Sequence, residues 1–326
     1  MRRLGLHALE NFAFRRASAW PRVAQGAEAI GAHTVADRLD RIRSHGDIVA
    51  VNMPALPHDW RARRLKLALH GGHDQVALAL RDRGWRGFEH PMPSVFRQCV
   101  AQTRGIVYDV GANTGIYSAI DAASTDEPIY GFEPVAEIAA MARANLELNR
   151  ASAQVQILDC AASDHTGTAP IYVPPPINES VETSASLDPD FKGEHEHIIE
   201  IATTTLDDHW ASLGRPDVGV IKIDVEGHEV AALAGAEQLV TAAQPVIFIE
   251  VLRHSDEIDA FRQRHSYVDV RLSEVEAIFG DDVHFDESAW NHVLFPRSWV
   301  RPLADIATSI GLVTTFLGSD EGVRPA

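Results

Sequence analysis

The chain has 326 residues, of which 45% are hydrophobic and 23% charged, enough for a large core domain with a smaller appendage. Its formal net charge of −17 argues against a nucleic-acid binder, and no apolar run approaches the length of a membrane-spanning helix. Two cysteines, Cys99 and Cys160, are too few for a disulfide framework and lack the spacing of a zinc site, which suits a reducing compartment such as the cytoplasm.

The charge is unevenly spread. Residues 1–100 hold 16 basic and 9 acidic side chains, whereas the rest of the chain holds 13 and 37. Glu10, Asn11, Arg15 and Arg16 interrupt the amino-terminal apolar residues, so no cleaved secretion signal is expected. Up to about Val100 the pattern reads as a helical amino-terminal region broken at Pro54, Pro57 and Gly71-Gly72, with helices expected over Ala8 to Arg43, Trp60 to Leu69 and Val76 to Arg83. Its arginines, including Arg61, Arg63, Arg64, Arg81, Arg83 and Arg86, read as solvated helix faces or as attraction for an acidic acceptor. Its apolar residues would serve as a lid, an acceptor contact or a homodimer contact. Residues 101–326 form the expected catalytic domain.

From Gly105 onward short β-rich runs alternate with helical stretches, as in a parallel sheet with crossover helices. The runs are Ile106 to Val110, Pro128 to Phe132, Gln154 to Leu158, Val218 to Ile223 and Pro245 to Val251, each apolar enough to be buried on both faces. Helices are expected over Ile116 to Ala123 and Val135 to Asn149. An insertion between the third and fourth runs contains Pro174-Pro175-Pro176 and a His195-Glu196-His197 segment, and reads as an irregular loop or hairpin at the active-site edge. His195 and His197 read as solvated rather than as a metal pair.

Asp109-Val110-Gly111-Ala112-Asn113-Thr114-Gly115 places a glycine turn between a buried strand and a helix, where backbone can pass close to a ligand. Asp109 would accept from a ligand amine or order the turn. Glu133 ends the second strand, where an acid can accept from both hydroxyls of a ribose. Asn113 stands where a dinucleotide-binding turn carries its second glycine, so a nucleoside without phosphates fits better than NAD. The chain also lacks a Tyr-x-x-x-Lys pair for hydride transfer.

Asp224, Glu226, His228 and Glu229 follow the fourth strand. Asp224 and Glu226 would share a side if the strand conformation persisted that far. Either could take an acceptor proton, and His228 has the pKa of a general base. With Glu250, Asn291 and His292 these carboxylates could collect a divalent cation, although the spacing is no recognised metal signature and no metal is assigned. Lys222, on a buried strand, would need a carboxylate partner.

Asp109 to Ser118, Phe132-Glu133-Pro134 and Ile221-Lys222-Ile223-Asp224-Val225-Glu226-Gly227-His228-Glu229 together resemble the FkbM family of methyltransferases. Ala161 to Asp164, Thr204 to Asp207, Phe248 to Glu250 and Asn291 to Phe295 extend the resemblance over roughly 105 to 296. It implies an α/β class-I methyltransferase fold, Rossmann-like, with a central, mostly parallel sheet flanked by helices and S-adenosyl-L-methionine as cofactor. Asp109, Gly111, Asn113 and Gly115 would line the methionine end and Glu133 the ribose, with Asp159, Cys160 and Ala161 beside the adenine. Ala112, Tyr117, Pro134 and Asp224 complete the implied cofactor contacts, and Asp224, Glu226 and His228 the implied catalytic set. The implied reaction is O-methylation of a saccharide or natural-product hydroxyl. N-methylation and a catalytically silent scaffold are the alternatives.

Overall fold

The computed structural model describes residues 48–56, 63–70, 74–173, 185–187 and 197–317. The expectations for Ala8 to Arg43, Gly71-Gly72, Pro174 to Pro176 and His195-Glu196 lie outside those residues.

The centre of the molecule is a nine-stranded sheet. Strands β3 (Ile106–Val110), β4 (Ile129–Phe132), β5 (Val155–Leu158), β9 (Val218–Ile223) and β10 (Val246–Glu250) correspond to the five runs read from sequence. In space they lie in the order β5-β4-β3-β9-β10, all parallel, so the chain reverses direction of travel between β3 and β9. Every residue of β3 and β9 is buried, as central parallel strands require. The sheet continues through strands that periodicity did not mark: antiparallel β13 (Asn291–Pro296), then β11 (Tyr267–Leu272), β12 (Glu276–Gly280) and β14 (Val313–Phe316).

Helices α3 (Ile116–Ala122) and α4 (Ala136–Leu148) are the crossovers from β3 and β4. The apolar side expected for α4 is the one that packs: Ile138, Met141, Ala142, Asn145 and Leu146 are buried. Helices α5 (Leu206–Ser212), α6 (Glu229–Ala234), α7 (Glu237–Ala243), α8 (Ser255–Arg264) and α9 (Val300–Ser309) complete the flanks. The seven strands from β5 to β11 have the class-I methyltransferase arrangement, with antiparallel β13 between β10 and β11, and β12 and β14 extend the sheet beyond it, also running opposite to β10.

The amino-terminal region is not all helix. Within it Arg64–Ala68 is a strand, β2, paired antiparallel with β1 (Ile48–Asn52), where a helix was expected. The alternation Arg64, Leu65, Lys66, Leu67 is a period of two, and Leu65 and Leu67 are the buried pair. Helix α1 (Gln75–Arg83) agrees with the reading of 76–83, and α2 (Met92–Gln102) follows it. The insertion forms hairpin arms β7 (Gly167–Val173) and β8 (His197–Thr204), with the two-residue strand β6 (Ala161–Ala162) beside β8. No helix among the described residues is long and apolar enough to cross a membrane.

Candidate functional site

The carboxyl ends of β3, β4 and β9 meet where the sheet reverses order, the edge at which open α/β sheets bind ligands. Two loops form its floor. Residues 111–115 leave β3 with Gly111, Asn113 and Gly115 all at positive φ, 78°, 50° and 81°. Residues 224–227 leave β9 with Glu226 and Gly227 also at positive φ. The loops touch: a Cβ on Gly111 would lie 1.8 Å from the Asp224 carbonyl oxygen, so only glycine fits there.

Glu133 is almost enclosed. Its Oε2 accepts the Asn113 amide at 3.0 Å and its Oε1 the Val135 amide at 2.9 Å. Burial, against the pull of these two amides, pushes its carboxyl up to about 7. Each oxygen keeps a second lone pair, so the acceptors a ribose needs are present. Asp109 has no exposure; its Oδ2 accepts from the Ser118 hydroxyl at 2.6 Å and its Oδ1 accepts no hydrogen bond. Of the two roles left open for Asp109, ordering the turn is the one its burial favours.

Of the residues expected beside the adenine, Asp159 is exposed and pairs with Arg143 at 2.7 Å, Cys160 is half-buried, and Ala161 is buried in β6. Ala112 is buried, and Gly111, Asn113 and Pro134 are half-buried. An enclosed carboxylate on an amide-lined turn, beside half-exposed glycine backbone, fits an uncharged sugar hydroxyl pair better than a phosphate.

Lys222 is enclosed and has the carboxylate partners its burial demands: Asp224 Oδ2 at 3.0 Å from Nζ and Asp109 Oδ1 at 3.9 Å. Its ammonium stands 4.6 Å from the centroid of the Tyr117 ring. Burial works to lower the Lys222 pKa, but the charges of Asp224, Asp109 and Glu89 together hold it above the ordinary value. Tyr117, itself buried, donates its hydroxyl to Glu89 Oε2 at 2.5 Å. Nothing in the sequence marks Glu89. It lies in the turn before α2, and only the fold brings its carboxylate to residues more than 130 positions away.

Asp224 and Glu226 do not follow strand alternation, because β9 ends at Ile223 and Glu226 has φ of 55°. Both still act on one neighbour: burial first, then the charges of Asp224 and Glu226, push the Glu250 carboxyl well above its ordinary range. The Glu229 carboxylate turns back to accept the Gly227 amide at 3.0 Å, which holds the loop closed. His228 precedes α6, with Nε2 3.0 Å from the Ser163 hydroxyl. His292 is buried with Nδ1 3.0 Å from Asp269, away from the cation set considered for it. Among the described residues no group of three or more His, Cys, Asp or Glu side chains is arranged to hold a metal ion.

Fold and site thus define a class-I methyltransferase. Residues 109–277 match the methyltransferase FkbM domain, which spans both loops and every strand between them, and the chain belongs to the FkbM methyltransferase family. S-adenosylmethionine is the cofactor of that class.

Similar solved structures include methyltransferase FkbM from Methylobacillus flagellatus KT, at 15% identity and a TM-score of 0.41, covering 68% of this chain and 54% of that one. The present chain therefore spans about half the length of that relative. Precorrin-6y C5,15-methyltransferase from Geobacter metallireducens GS-15 is 12% identical with a TM-score of 0.37, covering 64% of this chain and 89% of that one. The O-methyltransferase from Bacillus cereus in complex with SAH is 11% identical with a TM-score of 0.36, covering 85% and 98%. No curated protein matches the sequence.

Proposed function

We propose that this protein transfers a methyl group from S-adenosylmethionine to a hydroxyl of a small saccharide or natural-product acceptor. The observation that carries the reading is the contact between the two family loops, in which Gly111 packs against the Asp224 backbone. It sets the turn suited to the donor's methionine end directly beside the carboxylates suited to the acceptor.

The bound cofactor supplies an activated methyl group on a positively charged sulfur. The protein's own residues have the remaining tasks, which are to align the acceptor oxygen and to receive its proton. Glu133 would hold the ribose, Gly111, Ala112, Asn113 and Gly115 would lie along the methionine end, and Asp159, Cys160 and Ala161 beside the adenine. Asp224, one third exposed and hydrogen-bonded to Lys222, is the best-placed proton acceptor, with Glu226 on the same loop. His228 is held by Ser163 and more naturally fixes that loop to β6. The region before α2, which brings Glu89 to Tyr117, would supply the acceptor-side wall.

Calorimetric titration of the full chain with S-adenosylhomocysteine, beside Glu133→Ala and Gly111→Val, tests the cofactor site. Micromolar binding lost in both variants is the expected result, and no binding by the wild type overturns the reading. Screening hydroxylated sugars with labelled donor then tests the acceptor class. Methyl transfer to amines but to no hydroxyl would replace O-methylation with N-methylation.

A further inference from the structure

The insertion between β5 and β9 reaches the loop that follows β9 through Ser186. Residues 185–187 lie against β7, where Ser186 exchanges two backbone hydrogen bonds with Tyr172, at 2.8 and 3.0 Å. Ala185 and Leu187 pack on the small apolar cluster of Ala161, Ile171 and Ile201. Fixed in this way, Ser186 is buried and donates its hydroxyl to the Glu226 carbonyl oxygen at 2.6 Å. That carbonyl shares a peptide unit with the Gly227 N–H, which Glu229 Oε1 accepts at 3.0 Å. The Glu226–Gly227 peptide is therefore gripped at both ends, at its oxygen by the insertion and at its nitrogen by the first residue of α6.

This peptide lies between two residues at positive φ, 55° and 98°. For Glu226 that conformation is unfavourable, because its Cβ crowds the carbonyl oxygen that follows, and it persists only where the surroundings over-determine it. The double grip does so, and it fixes the direction of the Glu226 side chain relative to β9 and α6. The carboxylate so placed is near enough to Glu250, on β10, for their charges to interact. Asp224 is anchored separately: its amide donates to the Val110 carbonyl oxygen at 3.0 Å, so its contact with Gly111 does not depend on Ser186. We propose that Ser186 is a positioning residue for the acceptor side of methyl transfer, holding the Glu226 carboxylate in place through the Glu226–Gly227 peptide while leaving the donor turn unaffected. This inference rests on the acceptor-side reading of the 224–227 loop above.

The test compares wild type, Ser186→Ala and Ser186→Thr as full chains. Amide hydrogen exchange is followed by NMR at Gly227, with the Gly111 amide, which donates to the Phe132 carbonyl oxygen at 3.1 Å, as the reference on the donor turn. Ser186→Ala should speed exchange at Gly227 about tenfold, the size of one net hydrogen bond, and change Gly111 by less than about twofold. Ser186→Thr keeps the hydroxyl and should stay close to wild type. With a hydroxylated sugar that the wild type methylates, Ser186→Ala should lower kcat/KM for that sugar about tenfold, as a displaced group near the reacting atoms does, while S-adenosylhomocysteine affinity by calorimetry holds. Unchanged exchange at Gly227 in Ser186→Ala overturns the proposal, and so does equal acceleration at Gly227 and Gly111, or a loss of S-adenosylhomocysteine affinity as large as the loss of kcat/KM. If Ser186→Ala does not fold, Ser186→Cys, which keeps the volume and weakens the donor, takes its place in every comparison. Failure of the wild type to bind S-adenosylhomocysteine is a different result: it removes the cofactor reading, and the exchange comparison, which needs neither donor nor acceptor, still decides whether Ser186 anchors the loop.

Discussion

The side-chain amide of Asn145 donates to the Thr114 carbonyl oxygen at 2.8 Å, from the middle of α4 to the turn after β3. Its Oδ1 accepts the amide of Ala68, at the end of β2, at 2.9 Å. One buried side chain thus ties the donor-side turn to the amino-terminal ribbon. Asn145→Ala would leave a buried carbonyl and a buried amide without partners, for a loss of about 3 kcal/mol in urea unfolding. S-adenosylhomocysteine binding should weaken with it. A loss under about 0.5 kcal/mol, the size of an ordinary surface change, would show that the tie carries no load.

The five central strands and the helices after β3 and β4 were legible because burial on both faces writes continuous apolar runs, and α4 writes a 3.6-residue stripe. The turn at Gly111 was legible because the close approach of the Asp224 backbone admits no side chain there, whereas Glu133 and Asp224 were marked by their places at the ends of strands. Strands β11 to β14 were not, since short strands such as Glu276–Gly280 alternate too briefly to stand out. Arg64–Ala68 was read with the wrong period. Glu89 was illegible for a different reason: its role depends on tertiary contact with Tyr117, and a lone glutamate in a turn carries no local signal.

Lys222 is enclosed between Asp109 and Asp224, so Lys222→Met would strand buried carboxylate charge rather than remove a neutral contact. Breaking such a pair from one side costs about 3 kcal/mol. The cost should be greatest near pH 8 and shrink as pH falls, because protonation relieves the stranded carboxyls. Thermal unfolding of variant and wild type between pH 5 and pH 8 checks this, and a pH-independent difference would contradict it.

Asp224→Asn keeps the shape of the proposed proton acceptor but removes its basicity. With an identified acceptor, kcat should fall by about 100-fold or more while S-adenosylhomocysteine affinity changes little. His228→Ala should cost less than about tenfold, because its ring is held by the Ser163 hydroxyl. The reverse ranking would move the proton to His228 and make Asp224 a partner of Lys222 only.

Glu133 titrates near 7 in the folded protein against 4.5 as an ordinary glutamate, because burial disfavours its charge. Between those values the unfolded chain gives up its proton first, so this group's effect on stability falls as pH rises from about 4.5 to about 7 and is level above. The linkage amounts to about 3 kcal/mol. Glu133→Gln cannot titrate, and its amide nitrogen cannot accept, so one of the Asn113 and Val135 amides loses its acceptor at every pH. The variant should therefore be less stable than wild type near pH 4.5 and gain on it steadily up to pH 7, while binding S-adenosylhomocysteine more weakly throughout. Urea unfolding of both proteins across that range decides the point. A stability gap that stays constant with pH would mean that Glu133 is already ionised in the fold, held so by its two amides.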